Sequence, residues 1–325
     1  MFFPLRRISL GLLLAGACLV PLVPPAGAAD AELAPLAEKS LLLDGQAVTP
    51  GRMVAVGERG HILISVDAGR SWRQSPVPTR ATLTSVFFVD GKHGWAAGHD
   101  AVILATDDGG ATWRKVHEDL ESGPILDLWF RDLKNGYAVG GYGLFLATTD
   151  GGASWEPQPV ADASGADIDL HFNQLHALTD GRLILAGEAG QLLLSADGRQ
   201  WRTLELPYEG SLFGTLSWDD GKLLAFGLRG HLFRSVDAGG SWQPVVTGTE
   251  AILNDAIRLQ DGRVVVVGLA GTVLVSSDEG RTFVAHAQFD RPGIARVIES
   301  NGHALVLLGT HGARYLELPV AGGRP

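Results

Sequence analysis

The chain has 325 residues, among them 43 glycines, 16 prolines, 8 tryptophans and a single cysteine. This composition is too apolar and too aromatic for a disordered chain, and too rich in glycine for a helical bundle. The net charge of −10 argues against nucleic-acid binding, because basic side chains must neutralise a phosphate backbone.

The first 29 residues have the pattern of an export signal. Arg6 and Arg7 form a basic start, residues 8–23 are apolar, and small residues follow up to Ala29. We expect cleavage after Ala28 or Ala29, which leaves a mature chain of residues 30–325. The sequence therefore predicts an exported protein whose mature chain has no cysteine. A membrane span is disfavoured, because the apolar stretch is short.

A lipid anchor at Cys18 is an alternative form of export. Cys18 follows Leu-Ala-Gly-Ala, which loosely resembles a lipidation motif. However, Ala15 stands where such a motif has a large aliphatic residue, and the chain after Cys18 is still apolar. We therefore favour cleavage near Ala29.

A motif of about eight residues then recurs six times, and it reads Ser-Val-Asp-Ala-Gly-Arg-Ser-Trp in its first copy. The closing aromatics are 41, 42, 46, 41 and 41 residues apart. The aspartates and aromatics of the six copies are Asp67 and Trp72, Asp108 and Trp113, Asp150 and Trp155, Asp197 and Trp201, Asp237 and Trp242, and Asp278 and Phe283.

A Gly-x-x-Gly turn precedes each copy. The turns are at residues 57–60, 140–143, 187–190, 227–230 and 268–271, with a variant closed by alanine at 98–101 and a seventh copy at 309–312. Seven turns and six motifs form one pattern that is cut at the C-terminus.

Each unit reads as four short strands separated by turn residues, which is typical of a β-propeller. The first strands are predicted at residues 82–90, 125–132, 170–179, 212–219, 253–260 and 294–300, and one more at 40–43. We predict an all-β, seven-bladed propeller. The seventh blade lacks a fourth strand in chain order, and we expect the segment near Glu32–Leu36 to supply it and to close the ring.

The repeated aspartates are expected to be structural rather than catalytic or metal-binding. An aspartate in such a turn accepts hydrogen bonds from its own backbone, and the following glycine permits a positive φ angle. Because the aspartates recur once per blade at the rim, they are far from each other. We predict no cofactor and no metal.

These residues resemble those of Asp-box propellers, and more closely the photosystem II stability/assembly factor-like family. The stretches from Gly94 to Trp113 and from Gly136 to Trp155 match that family's repeat almost position by position. The resemblance implies a non-enzymatic factor of the periplasm or thylakoid lumen that helps to assemble a membrane complex. The implied partner is a photosystem II precursor in a photosynthetic organism, and otherwise an envelope protein such as a transporter. We expect a monomer.

Two other functions remain open from the sequence. A sialidase-like glycosidase would need a tyrosine nucleophile, a glutamate partner and an arginine cluster. The sequence has only four tyrosines and no Phe/Tyr-Arg-Ile-Pro segment. The other alternative is a small-ligand sensor with its site in the central channel.

In a propeller, the turns between second and third strands lie on the same face as the linkers between blades. Tyrosine and arginine are enriched in binding hot spots, so we predict partner contacts on this face. The candidates are Arg59, Arg80, His99, Tyr142, Tyr208, Arg229, Arg291 and His311.

Overall fold

The computed structural model describes residues 29–161, 164–218, 220–286, 288–301 and 304–318. Among these residues, 27 strands form seven antiparallel sheets, six of four strands and one of three. The predicted all-β, seven-bladed propeller is confirmed. Residues 1–28, which include Cys18 and all of the predicted export signal except Ala29, lie outside the described residues.

The first three blades are continuous in chain order. Blade 1 consists of β1 (Leu42–Thr49), β2 (Arg52–Gly57), β3 (Ile62–Ser65) and β4 (Arg73–Gln74). Blade 2 consists of β5 (Leu83–Phe88), β6 (Gly94–Gly98), β7 (Ile103–Thr106) and β8 (Arg114–His117). Blade 3 consists of β9 (Ile125–Phe130), β10 (Gly136–Gly140), β11 (Phe145–Thr148) and β12 (Glu156–Pro157).

The next three blades repeat this order. Blade 4 consists of β13 (Phe172–Ala177), β14 (Leu183–Gly187), β15 (Leu192–Ser195) and β16 (Trp201–Thr203). Blade 5 consists of β17 (Leu212–Ser217), β18 (Leu223–Gly227), β19 (Leu232–Ser235) and β20 (Gln243–Pro244). Blade 6 consists of β21 (Leu253–Arg258), β22 (Val264–Gly268), β23 (Val273–Ser276) and β24 (Val284–Ala285).

Blade 7 has three strands among the described residues: β25 (Ile294–Ser300), β26 (Ala304–Gly309) and β27 (Gly312–Glu317). The first strands of neighbouring blades contact each other around the hub, and β1 contacts β25, so the ring is closed. Short 3-10 helices occur at Ala37–Lys39, Glu58–Gly60, His99–Ala101 and Leu228–Gly230. Within the described ranges, no helix is long and apolar enough to span a membrane.

The core lies in seven hydrophobic clusters, one between each pair of neighbouring blades. Between blades 2 and 3, Trp95 stacks on Phe130 at 3.5 Å between ring centroids, and Trp155 meets Phe130 edge-on at 5.7 Å. The repeated eight-residue motif, which we call the Asp box, contributes its closing aromatic residue to every cluster except the one between blades 6 and 7. There Leu318, which is 5% exposed, belongs to the cluster.

The prediction that the segment near Glu32–Leu36 forms the fourth strand of blade 7 is wrong. No described residue pairs with the outer edge of β27. Instead, the Ala31 N–H donates to the Val77 carbonyl at 2.8 Å, and the Ala34 N–H donates to Gln74 Oε1 at 2.8 Å. These bonds hold the segment against blade 1, while the 3-10 helix Ala37–Lys39 contacts β27.

Candidate partner-binding face

The Gly-x-x-Gly turns and the interblade linkers form one face of the ring, which we call the turn face. Hydrogen bonds join the two sets of segments: the Asp119 N–H donates to the Asp100 carbonyl at 3.0 Å, and the Gly143 N–H donates to the Leu170 carbonyl at 2.9 Å. The Asp-box turns lie on the opposite face with the turns between first and second strands, since the Ala68 N–H donates to the Gly51 carbonyl.

The third residue of six of these seven turns has a left-handed backbone. These residues are Arg59, Asp100, Tyr142, Ala189, Arg229 and Ala270, with φ between 52° and 60°. For residues other than glycine this conformation is uncommon and costs about 1–2 kcal/mol each. Such strain often accompanies binding sites. Here it places Arg59, Tyr142 and Arg229 at the exposed tips of their turns.

Five of the eight predicted contact residues have side chains free for a partner. Arg59, His99 and Arg229 are exposed, and their side chains make no hydrogen bond or ion pair with any described residue. Tyr142 is 69% exposed, and its ring lies 4.8 Å from the His171 ring. Arg291 is exposed and has a φ of 47°.

The other three residues already have partners. Tyr208 is half-buried, and its hydroxyl donates to the Leu228 carbonyl at 3.0 Å while its ring packs on His231 and Phe233. Arg80 Nε donates to the Asp30 carbonyl at 2.9 Å. His311 Nδ1 lies 3.7 Å from Asp290 Oδ2.

The eight residues do not converge on one point, because they belong to different blades and linkers. Two cavities on the blade 5–6 side of the turn face come closest to a shared site. One, of about 630 Å³, is lined by Arg291, Phe289 and Ala270, and the other, of about 430 Å³, by Arg229 and Val246. The linker of residues 247–250 lines both. Val246 is 88% exposed and Phe289 is fully exposed, so each cavity combines an arginine with an exposed apolar side chain.

The Asp-box turns have the self-contained hydrogen bonding that the sequence predicts. In blade 3, Asp150 Oδ1 accepts hydrogen bonds from the Thr148 hydroxyl at 2.8 Å and from the Ser154 N–H at 2.9 Å. Asp150 Oδ2 accepts one from the Ser154 hydroxyl at 2.6 Å. The hydrogen bonds from Ser154 and Thr148 lower the pKa of Asp150 to about 2. This carboxylate is therefore satisfied within its own turn.

We expect Asp150→Ala to lower the melting temperature at pH 7 by about 3 °C without changing partner capture. The folded-state pKa of about 2 lies below the ordinary aspartate pKa of 3.8. The stabilisation is therefore present above pH 4 and is lost as the pH falls towards 2. Thermal unfolding followed by circular dichroism should show the difference at pH 7 and little of it near pH 2. The control is Asp107→Ala, which removes from the Asp-box turn of blade 2 an exposed carboxylate that has no such bonds to the described residues. Normal melting with lost capture would assign Asp150 to binding.

A ring of polar side chains at the hub was missed in the sequence. It is formed by the third residue of six innermost strands, Asp44, Ser85, Asp127, Gln174, Asp255 and Arg296, while Gly214 takes this position in blade 5. In five blades this side chain accepts a hydrogen bond from a backbone N–H of the next innermost strand, at 2.7–3.3 Å. Its constant position within the repeat is the sequence signal that could have revealed it.

Arg296 joins the last blades of the ring to the first. Its Nη1 lies 3.2 Å from Asp255 Oδ1 of blade 6, and its Nε lies 3.1 Å from Asp44 Oδ1 of blade 1. Burial, and then the charge of Asp44, raise the pKa of Asp127 to about 7. Burial lowers the pKa of His176 to about 4. Five residues of this ring, all except Ser85, line a channel cavity of about 120 Å³. The carboxylates of the ring already accept hydrogen bonds from the neighbouring strands.

The chain matches a family model described as photosynthesis system II assembly factor YCF48, over residues 64–123 and 113–303. The chloroplastic photosystem II stability/assembly factor HCF136 of Cyanidioschyzon merolae is 41% identical over 56 residues, which are 16% of this chain and 13% of that protein. The photosystem II assembly lipoprotein Ycf48 of Synechococcus sp. (strain CC9902) is 26% identical over 238 residues, 71% of this chain and 57% of that protein. The chain thus aligns with less than two thirds of these relatives.

Two solved structures share the fold. One, described as YCF48 bound to D1 peptide, has a TM-score of 0.71 at 18% identity and covers 86% of this chain and 94% of its own. The other, YCF48 from Cyanidioschyzon merolae, has a TM-score of 0.71 at 17% identity and covers 90% and 99%. At these identities the likeness establishes the architecture.

Proposed function

Because the chain belongs to the photosynthesis system II assembly factor YCF48 family, we propose that it is an exported, non-enzymatic scaffold that binds a subunit of a membrane complex during assembly. In a photosynthetic organism that subunit is a photosystem II precursor. Elsewhere it belongs to another envelope complex, such as a transporter. Relatives described as a lipoprotein and as a chloroplast protein support export, and the structure described as bound to D1 peptide supports a protein ligand.

One observation on the turn face carries this proposal. Arg59 and Arg229 are held at exposed turn tips by a left-handed backbone, and no described residue neutralises either guanidinium. In a protein with a net charge of −10, carboxylates are more numerous than basic side chains. Arg229 also lines a cavity together with the exposed Val246, and arginine is enriched in binding hot spots. The turn face is therefore the proposed docking surface.

We expect the double variant Arg59→Glu, Arg229→Glu to reduce capture of the membrane partner at least about tenfold. The affinity-tagged protein would be expressed in its source organism, cross-linked in intact envelopes, and its partner identified and quantified by mass spectrometry. Both substitutions replace exposed side chains, so the melting temperature should stay within about 2 °C of the parent.

The matched control is Arg199→Glu, Arg202→Glu, which makes the same change in charge at exposed positions in the Asp-box turn and outer strand of blade 4. Capture by this control should equal capture by the parent. If both double variants lost capture equally, the loss would be due to the change in net charge and not to the turn face. Unchanged capture by the first variant would remove the turn face from the proposal.

A further inference from the structure

The outer edge of β27 is open among the described residues. In blades 1 to 6, the third strand pairs with a short fourth strand: in blade 1, Ile64 pairs with Arg73 and Leu63 with Gln74. The Ser75 N–H then donates to the Ile62 carbonyl at 2.8 Å. Backbone groups of Ile62 and Ile64 therefore face outward to the fourth strand, since alternate residues of a strand face the same neighbour.

The ladder within blade 7 identifies the corresponding groups. Ile62 pairs with Val56 and Ile64 with Val54 on the second strand of blade 1. At the same places in blade 7, Ala313 pairs with Leu308 and Tyr315 with Val306. The N–H and C=O groups of Ala313 and Tyr315 therefore face outward, and no described residue hydrogen-bonds to them.

The chain's own candidate for this position is engaged elsewhere. Glu32 precedes the innermost strand that begins at Leu42 by the same number of residues as Arg73, in the fourth strand of blade 1, precedes Leu83. By its position in the repeat, Glu32 therefore corresponds to a fourth strand. However, the Glu32 carbonyl accepts a hydrogen bond from Gln74 Nε2 at 2.9 Å, and its neighbour Ala31 is bonded to the linker after blade 1.

We propose that the outer edge of β27 binds an extended segment of the partner protein, which pairs with Ala313 and Tyr315 as the fourth strand of blade 7. Six completed blades in the same molecule define the required occupant: a few extended residues that run antiparallel to the third strand. Main-chain hydrogen bonds supply the affinity in this mode of recognition. The inference rests on the proposed function, because it requires a protein partner, but it concerns a surface distinct from the turn-tip arginines.

Tyr315 provides a test that isolates one backbone group. Its side chain also matters, since Arg70 lies over the ring at 4.5 Å and donates to the hydroxyl at 3.1 Å. Tyr315→Ala removes the ring and keeps the outward N–H. Tyr315→Pro removes both, and proline is tolerated on an edge strand. We expect Tyr315→Pro to capture the partner at least about fivefold less than Tyr315→Ala, with both variants melting within a few degrees of each other. Equal capture by the two variants would overturn the proposal.

A second measurement does not depend on whether the proline variant folds. A photo-crosslinking phenylalanine analogue replaces the exposed Glu317 in the otherwise unchanged protein, and irradiation in intact envelopes is followed by peptide mass spectrometry. We expect cross-links to one segment of the captured partner. Cross-links to residues 30–36 or 319–325 of the same chain, or to a second copy, would overturn the proposal. Capture that depends on Arg59 and Arg229 but gives no cross-link from position 317 would refute the edge site alone, whereas absence of any partner would refute the proposed function.

Discussion

Replacing Arg296 with methionine is expected to lower the free energy of unfolding at pH 7 by about 3 kcal/mol. The substitution leaves Asp44 and Asp255, on either side of position 296, without their shared cation. Their side chains are only 12% and 5% exposed, so water cannot replace the guanidinium fully. Methionine keeps much of the packing volume, which makes the loss of charge the main change. Urea unfolding followed by tryptophan fluorescence measures the difference.

The pH dependence of this variant has a definite sign. Burial raises the pKa of Asp255, and Arg296 opposes that shift. Without Arg296 the folded-state pKa rises further above the unfolded value. A carboxyl group with a raised folded pKa destabilises the protein increasingly as the pH rises. The deficit of Arg296→Met should therefore be larger at pH 8 than at pH 4.

Two further variants separate charge from shape. Asp44 and Asp255 each direct one oxygen to a backbone N–H and the other to Arg296. Asparagine can keep the first bond without a charge, so adding Asp44→Asn and Asp255→Asn to Arg296→Met should restore most of the stability. Arg202→Met is the control at an exposed position. Parental stability of Arg296→Met at pH 7 would show that the ring closes without this interaction.

The hub also shows where sequence reasoning ends. The blades were predictable because the first six carry two local signals, the Gly-x-x-Gly turn (closed by alanine in blade 2) and the Asp box, and the seventh carries the turn. The strand predicted at residues 40–43 is in fact β1, Leu42–Thr49. The polar residues of β1 obscured its strand pattern in the sequence. Gln46 accepts a hydrogen bond from the Phe88 N–H of the next blade at 2.8 Å, and Asp44 accepts one from the Val86 N–H. Because these polar side chains bond to the neighbouring blade, β1 does not show the regular alternation of apolar and polar residues by which a strand is recognised.

The candidate contacts show the same division. Strand order alone assigned all eight residues to one face, because the direction of each turn follows from the topology. The order of strands says nothing of packing against the next element, and so it did not separate the free Arg229 from Tyr208, whose hydroxyl is bonded to the Leu228 carbonyl. Similarly, the position of Glu32 within the repeat predicted that it lies in a strand. In the structure, however, the Gln74 side chain donates a hydrogen bond to the Glu32 carbonyl and holds this segment against blade 1. The period of the repeat gives no information about such a side-chain contact.

Gly230→Ala is expected to lower the free energy of unfolding by at least about 3 kcal/mol. Gly230 closes the turn of blade 5 with φ of +71°, and a Cβ atom there would lie 1.9 Å from the carbonyl oxygen of Thr249. Two backbone segments, the turn and the following linker, would have to separate. This close approach recurs in most blades, as at Gly190 and Gly312, where a Cβ would lie 2.1 Å and 1.9 Å from a carbonyl oxygen.

Gly248 provides the matched control within the neighbouring linker. Its φ is +70°, but a Cβ atom at Gly248 would have no neighbour within 4 Å. Gly248→Ala should therefore show only the cost of the left-handed backbone, about 1 kcal/mol. Urea unfolding of the two variants measures the difference, which is the energetic contribution of the close approach. Failure of Gly230→Ala to accumulate as folded protein, beside a native Gly248→Ala, is the extreme form of the expected result. Equal stabilities would mean that the repeated closing glycine is required for its φ angle alone.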